Sequence, residues 1–244
     1  MRTIRIHVES PLAIGTEVAL PAQAGEHVVR VLRLSAGDPL VLFNGDGHDC
    51  NATIAAIGKR EVTVRVLDRQ AVDRESPLRL TLAQGVARGE KMDLIVQKAT
   101  ELGVARIVPL LTERAEVKLD AARADKRLAH WRAVAASACE QCGRTRLPEI
   151  LPSQALSAWL ATLAGDTALR LALLPEAATS ARTLRLTEAG ALLVVGPEGG
   201  LGERDVVLLA EAGFTNLRLG PRILRTETAG LTALAALQAL HGDL

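Results

Sequence analysis

Two glycine-proline corners in this sequence place a carboxylate and a guanidinium directly after runs of apolar residues. The first lies in LLVVGPEGGLGERD (192–205) and carries Glu198, and the second lies in LRLGPRILRTETAG (217–230) and carries Arg225. A carboxylate whose pKa is raised by burial can accept a proton, and a guanidinium can stabilise developing negative charge or hold a phosphate. Taken singly, each corner is typical of an ordinary turn, and Glu198 by itself is typical of a solvated loop carboxylate. The RTET segment by itself is typical of a helix cap in which Thr226 is the N-cap.

A third apolar run ends in a similar way, in LLPE (173–176), and this recurrence favours a ligand site. Ligands of open α/β sheets bind at the carboxyl ends of the strands. Glycines let the backbone approach a ligand closely, and free backbone N–H and C=O groups can read the edge of an adenine. The sequence has neither a GxxxxGK[ST] motif nor a GxGxxG motif after its first strand, so nothing in it resembles a triphosphate site.

The elements that must position these loops follow from the hydrophobic pattern. From about residue 76, apolar strand-like runs alternate with helical patterns, for example EKMDLIVQKATELGV, in which apolar residues recur at helical spacing up to Gly103. This alternation predicts a parallel sheet with helices on both faces. The first seventy residues instead show short strands between turn signals, which predict a small β-barrel, with a short helix that presents Arg30 and Arg33. The charged stretch DRQAVDRESP (68–77) predicts the boundary.

Composition limits the classes of function. The net charge is only +1 and aromatic residues make up 2% of the chain, so RNA binding by rows of stacked aromatic side chains is disfavoured. We expect no secretory signal, no membrane span and a cytoplasmic protein. The CxxC pair Cys139 and Cys142 lies late in a helical run, with no further ligands at zinc-like spacing, and therefore predicts helix packing with no metal site and no redox chemistry.

Several segments in order along almost the whole chain carry a resemblance to a known family. They are HVVRVLRLSAGD, NGDG, KMDLIVQKATELGVARIVPLLTERAEVK, HWRAVAASACEQCGRTRLPEI, VVGPEGGLGERD and LGPRILRTETAGLTAL. Together they resemble the small-subunit ribosomal RNA uridine-N3 methyltransferases of the SPOUT class. One departure is the start RTIRIHV, which lacks the aromatic residue that the family often has there.

The resemblance implies a PUA-like β-barrel RNA-binding domain at residues 1–72 and a SPOUT methyltransferase domain at 76–244. The latter would be an α/β domain whose C-terminal segment is threaded as a trefoil knot, which ordinary folds avoid. The cofactor would be S-adenosylmethionine, and the partners would be 16S rRNA of the small ribosomal subunit and a second copy of the chain in a homodimer. The last helix is mostly apolar and must be buried against something, which is consistent with a homodimer.

The same resemblance implies methylation at N3 of one uridine, m3U1498, in 16S rRNA. Glu198 and Arg225 are the catalytic candidates, although Glu198 has the alternative role of hydrogen-bonding loop N–H groups of the knot. The predicted cofactor contacts are Leu173, Leu174, Gly196, Pro197, Glu198, Gly199, Gly200, Leu219, Gly220, Ile223 and Leu224. The predicted RNA contacts are Arg30, Arg33, Lys91, Lys98, Arg144 and Arg222.

Three other functions compete with this interpretation. A ribose 2′-O-methyltransferase of the same class is disfavoured by the N-terminal β region and by the GPEGG form of the loop. A non-enzymatic RNA-binding scaffold is disfavoured by the intact glycines at both corners, and an enzyme of nucleotide phosphates by the missing phosphate loop.

Overall fold

A computed structural model describes residues 4–59, 61–115 and 121–244. Residues 1–3 and 116–118, which belong to two of the segments quoted above, lie outside the described residues. The chain forms two compact units, one of Met1–Glu75 with Ala136–Leu147 and one of Ser76–Ala135 with Pro148–Leu244. Residues 136–147 thus group with the first unit, although the sequence prediction assigns them to the second domain.

The first unit is built mainly from short strands. In chain order its elements are β1 (Arg5–His7), β2 (Glu17–Ala19), α1 (Ala22–Glu26), β3 (Pro39–Phe43), β4 (His48–Ile57), β5 (Val62–Val66) and β6 (Gln70–Ala71). The sheet order is β1-β3-β4-β5-β2, with β6 paired to β4. In β5 the valines 62, 64 and 66 are buried while Thr63 and Arg65 are not, so the alternation in the sequence correctly predicts the inward face.

The predicted short helix is also present. The α1 helix continues into one π-helical turn, His27–Val31, which buries Val28 and leaves Arg30 exposed in an ion pair with Glu26. Arg33 lies just beyond this turn, with φ +56, and is exposed.

The second unit alternates strands and helices as predicted. Its elements are β7 (Leu80–Gly85), α2 (Lys91–Glu101), β8 (Arg106–Leu111), α3 (Ala121–Cys142, whose last seven residues belong to the first unit), β9 (Glu149–Ile150), β10 (Gln154–Ala155), α4 (Leu156–Ala161), β11 (Leu169–Leu173), β12 (Thr179–Ser180), β13 (Ala191–Val195), α5 (Glu203–Glu211), β14 (Thr215–Arg218) and α6 (Thr226–His241). The strands pair in the order β10-β8-β7-β13-β11-β14-β12, and every pairing is parallel. Strand β9 pairs with β8, also in parallel.

Alternate residues of the central strands face two separate cores, which confirms that helices cover both faces of the sheet. In β13, Leu193 and Val195 join a core with residues of α2, α3 and α6, whereas Leu192 and Val194 join a core with residues of α4 and α5. A strand that is apolar at every position is the expected consequence of burial on both sides.

The shortest elements are absent from the sequence prediction. Strands β9, β10 and β12 have two residues each, and α4 has six, which is too short for a hydrophobic period to be recognised. No helix among the described residues is long and apolar enough to span a bilayer.

Candidate cofactor- and substrate-binding site

Three strands of the second unit end side by side and leave a cavity. β13, β11 and β14 are neighbours in the parallel sheet, so their carboxyl ends and the loops that follow lie at one edge. The cavity has a volume of about 550 Å³ and is lined by Lys91, Arg114, Leu173, Leu174, Pro175, Val195, Gly196, Pro197, Glu198, Gly200, Leu201, Leu217, Arg218, Leu219, Gly220, Arg222, Ile223, Leu224, Arg225, Thr226, Glu227 and Ala229. The three loops that sequence reasoning singled out therefore do meet.

Ten of the eleven residues predicted to contact the cofactor line this cavity. The exception is Gly199, whose carbonyl oxygen accepts a hydrogen bond of 3.1 Å from the guanidinium of Arg114. A Cβ atom on Gly199 would come within 3.2 Å of Cβ of Arg114, so this glycine faces a neighbouring loop.

The GPEGG corner depends on glycine because its backbone folds tightly on itself. The N–H of Gly200 donates to the carbonyl of Pro197 at 2.9 Å, and Gly200 has φ +72, in the left-handed region. A Cβ atom on Gly196 would lie only 2.6 Å from the carbonyl carbon of Gly200, so a side chain there would open the corner.

A buried glutamine joins this corner to the start of α6. Gln84, at the end of β7, is fully buried, and its amide nitrogen donates to the hydroxyl of Thr226 at 2.9 Å and to the carbonyl of Gly196 at 3.4 Å. The Thr226 hydroxyl in turn donates to the Gly196 carbonyl at 2.6 Å. Thr226 is therefore the first residue of α6 and a link between loops, and Arg225 takes the N-cap position that the capping alternative gave to Thr226. A lone glutamine in the apolar run LTLAQG is the signal that could have identified Gln84.

Glu198 is held by donors of the protein itself. Its Oε1 accepts from the backbone N–H of Arg88 and from Nζ of Lys91, both at 3.1 Å. Partial burial pushes the pKa of Glu198 up, but these hydrogen bonds outweigh burial and leave the pKa below its ordinary value. The condition under which Glu198 could act as the base, a pKa raised by burial, is thus not met. Its contacts with N–H groups are those expected for the alternative, structural role.

In the loop between β14 and α6, several backbone N–H and C=O groups are available for hydrogen bonds with a ligand. Among the described residues, none forms a hydrogen bond with the backbone N–H or C=O of residues 219, 220, 223 or 224. Gly220 has φ +80 and open space around the position of a Cβ atom. These polar groups border the cavity together with Leu173, Leu174 and Leu219, so the wall combines apolar surface with free donors and acceptors.

Five of the six predicted RNA contacts fall into three groups. Lys91 and Arg222 line the cavity, although Lys91 is engaged by Glu198. Lys98 pairs with Glu101 on α2 at 2.8 Å, and Arg30 and Arg33 are exposed on the first unit.

Arg144 does not present its guanidinium to solvent, contrary to what an RNA contact requires. Only 4% of the residue is exposed, and its guanidinium forms an ion pair with Glu75 at 2.5 Å within the first unit. Loss of either partner of this pair would leave a buried charge uncompensated, so Arg144 is committed to Glu75. In the same unit, a hydrogen bond with Cys142 and burial raise the pKa of Cys139, which disfavours a thiolate there.

Three charged residues at the cavity were not singled out from the sequence: Arg114, Arg218 and Glu227. Arg114 follows the end of β8, Arg218 ends β14, and Glu227 lies in the first turn of α6. Arg218 and Glu227 lie in the second corner segment and Arg114 in the segment after β8, but nothing local marks these three side chains as cavity residues.

Comparison with known proteins agrees with this geometry. Residues 74–238 match the model of an RNA methyltransferase domain, and residues 20–67 match that of an RNA methyltransferase PUA domain. The chain is 34% identical over 228 residues to ribosomal RNA small subunit methyltransferase E of Bacillus subtilis, with 89% of each chain covered. The crystal structure of the protein of the same name from Neisseria gonorrhoeae, bound to S-adenosylmethionine, has a TM-score of 0.90 and 37% identity over the whole of both chains. A protein of Legionella pneumophila described as a methyltransferase, solved with bound S-adenosylmethionine, has a TM-score of 0.95 and 41% identity, again over the whole of both chains.

Proposed function

This chain belongs to the ribosomal RNA small subunit methyltransferase E family, of the SPOUT class, and we propose that it methylates N3 of one uridine, m3U1498, in 16S rRNA. In broader terms it is an S-adenosylmethionine-dependent methyltransferase that acts on ribosomal RNA. The observation that carries the proposal is the cavity at the three neighbouring strand ends, lined by ten of the eleven residues predicted to contact the cofactor.

The cavity fits the chemistry of S-adenosylmethionine. Its volume of about 550 Å³ lies within the range of small-molecule sites. The open N–H and C=O groups of residues 219–224 suit an adenine edge, and the leucines at 173, 174 and 219 suit the faces of the base. Gly200 and Gly220, with open space where a Cβ atom would stand, allow the ligand to approach the backbone closely.

The bound cofactor supplies a methyl group activated on a sulfonium. The chain must hold uracil so that N3 lies in line with that methyl group, and positioning of this kind supplies much of the rate enhancement in group transfer. Uracil N3–H is weakly acidic, so loss of its proton leaves negative charge on the neighbouring carbonyl oxygens. The guanidinium of Arg225, which lines the cavity and is exposed, is the group that we propose to stabilise this charge.

Glu198 acts in this proposal mainly by positioning the corner. An ionised carboxylate with a lowered pKa is a weak base, and its donors at Arg88 and Lys91 hold residues 196–200 close to the start of α2. Proton acceptance through a water molecule is the remaining catalytic role for Glu198, and a Glu198→Gln variant with full turnover would exclude it.

We further propose that domain 1–72 helps to hold the RNA, with Arg30 and Arg33 exposed on it, and that the active form is a cytoplasmic homodimer. Residues 76–244 form the catalytic domain in this proposal, and its C-terminal segment is threaded as a trefoil knot. The two-sided parallel sheet and the matched RNA methyltransferase PUA model support this arrangement.

Mapping of the modified atom tests the function directly. Purified protein and S-adenosylmethionine are incubated with transcribed 16S rRNA and with small subunits from cells that lack the modification. A methyl group on N3 blocks the Watson–Crick edge, so we expect a reverse-transcription stop at one uridine and a base-methylated nucleoside in the digest. A ribose-methylated nucleoside would support the 2′-O-methyltransferase alternative, and absence of both S-adenosylmethionine binding and methylation would support the scaffold.

A further inference from the structure

The cavity carries far more positive charge than the chain as a whole. Its lining contains five cationic side chains, Lys91, Arg114, Arg218, Arg222 and Arg225, and two carboxylates, Glu198 and Glu227. This leaves a net charge of +3 at one site, whereas the entire 244-residue chain has a net charge of +1. An excess of this size concentrates a positive potential at the mouth of the cavity.

The proposed cofactor does not account for this charge. S-adenosylmethionine has a sulfonium and an ammonium against a single carboxylate, so it is itself a cation. One arginine is enough for its carboxylate, and the remaining arginines would repel it. A second ligand with several negative charges would balance the site, and the RNA backbone provides one phosphate for each nucleotide.

We propose that Arg114 and Arg218, together with Arg222, form an arginine rim that binds backbone phosphates of the RNA strand next to the target uridine. The inference rests on the proposed function, because it assigns the RNA-binding part of the same site. It places phosphate recognition at the catalytic cavity and adds Arg114 and Arg218, which were not among the RNA contacts predicted from the sequence.

Arg114 is held by contacts of the residue before it and by a hydrogen bond of its own side chain. The backbone N–H of Glu113 donates to the carboxylate of Asp205 at 3.1 Å, and the Glu113 carboxylate accepts from the N–H of Arg204 at 3.0 Å. The Arg114 guanidinium donates to the Gly199 carbonyl at 3.1 Å. Because a guanidinium has five N–H donors in a planar fork, Arg114 keeps donors for a phosphate while it holds the Gly199 carbonyl.

Arg218 is fixed at the end of a strand and has no protein partner among the described residues. It pairs in register with Ser180 across β14 and β12, which orders its backbone. Its side chain is exposed, and neither it nor Arg222 nor Arg225 forms a hydrogen bond or ion pair with any part of the chain that the structure describes. Exposed guanidinium groups at one cavity mouth, without acidic partners, are suited to an external anion.

The test uses Arg114→Gln and Arg218→Gln, with Arg79→Gln as the matched control. Arg79 is also exposed, but it borders a second cavity of the same unit, near the amino ends of β7 and β13. The KM for the RNA substrate and the Kd for S-adenosylmethionine are measured for each variant across a series of KCl concentrations.

We expect each rim variant to raise the KM for RNA on the order of tenfold at low salt. The slope of log KM against log salt should decrease by about 0.7 for each lost phosphate contact. The Kd for S-adenosylmethionine should stay unchanged, and Arg79→Gln should alter neither quantity.

Two results would overturn the inference. An increase in the Kd for S-adenosylmethionine with an unchanged KM for RNA would assign these arginines to the carboxylate of the cofactor. If the KM for RNA and the Kd for S-adenosylmethionine are both unchanged, the arginine rim binds neither ligand. Failure of the proposed function is distinguishable, because the wild type itself would then methylate no RNA.

Discussion

At the scale of single residues, the neighbours of Glu198 determine its acidity and therefore its chemistry. The hydrogen bonds from Arg88 and Lys91 favour the ionised form more strongly than partial burial disfavours it. An ionised Glu198 keeps the GPEGG corner attached to the start of α2, whereas a protonated one loses most of this attachment. The corner should therefore weaken in acid.

A Glu198→Gln variant tests this dependence. The pKa of Glu198 is lowered in the folded protein from its ordinary value of 4.5, so its pairing stabilises the fold fully above about pH 4.5, and this contribution is lost as the pH falls through the lower folded value. We expect the melting temperature of Glu198→Gln to lie below that of the wild type at pH 7. The two should converge toward the acid end of a thermal-unfolding series from pH 7 to pH 3, and a difference that is the same at every pH would contradict the role of the charge.

Gly220 provides a residue-scale test of the cofactor site. It has φ +80 with open space around it, and asparagine tolerates that backbone region, so Gly220→Asn should fold and place a side chain at the cavity. We expect calorimetric titration with S-adenosylmethionine to show affinity reduced on the order of tenfold or more, because the side chain occupies ligand space.

The matched control is Gly213→Asn. Gly213 follows α5, has φ +77 and equally open surroundings, and lies outside the cavity lining. Equal affinity of the two variants and the wild type would place the cofactor elsewhere.

At the scale of secondary structure, Gln84 ties three elements together below the cavity. Its amide joins the end of β7 to Gly196, which follows β13, and to Thr226, which begins α6. A buried polar network is stabilising when its donors are satisfied, and removal of one member leaves the others unpaired. The two loops that border the cavity are therefore mechanically linked.

A double-mutant cycle of Gln84→Leu and Thr226→Val tests this link. We expect Gln84→Leu to reduce the free energy of unfolding by about 2 kcal/mol, because it leaves buried oxygens without donors. Each single variant should also weaken binding of S-adenosylmethionine, and the double variant should lose less stability than the sum, since both changes remove the same 2.9 Å hydrogen bond. Strict additivity would show that the two residues act independently.

At the scale of the whole molecule, the last helix, α6, packs mainly into the core of its own unit, and its C-terminal end is exposed. Leu234 and Leu237 are fully buried in the core that contains α2 and α3, whereas Leu240 is 48% exposed. The apolar face of α6 that suggested a partner is thus largely covered within the chain. Leu240 is the exposed leucine of α6 that is available for contact with a second copy.

The proposed homodimer predicts a solution mass of twice 25.8 kDa. We expect Leu240→Glu to shift the population toward monomer, because a charge would be buried at the interface. Leu94→Glu, which alters a leucine on α2 that is 42% exposed, is the control and should leave the mass unchanged. Sedimentation velocity at several concentrations measures this, and a monomeric wild type would refute the dimer.

Much of this architecture follows from local patterns in the sequence. The alternation in β5, the helical spacing that ends at Gly103 and the uniformly apolar β13 each depend on neighbouring residues only, so these elements and the two-sided sheet are predictable. The glycine-rich corners are predictable as cavity-lining loops for the same reason, since a strand end followed by glycine and proline is a local signal.

The tertiary structure alone decided which distant groups meet. Glu198 and Lys91 are 107 positions apart, Gln84 and Thr226 are 142 apart, and Arg114 reaches the carbonyl of Gly199 across 85 positions. Such pairings depend on the order of strands in the sheet, which no local period encodes. The same order lowers the pKa of Glu198, whereas proton acceptance by this carboxylate would need a raised one, and it gathers the arginine rim from separate loops. Side-chain identities are thus local information, whereas charge environment is a property of the folded arrangement.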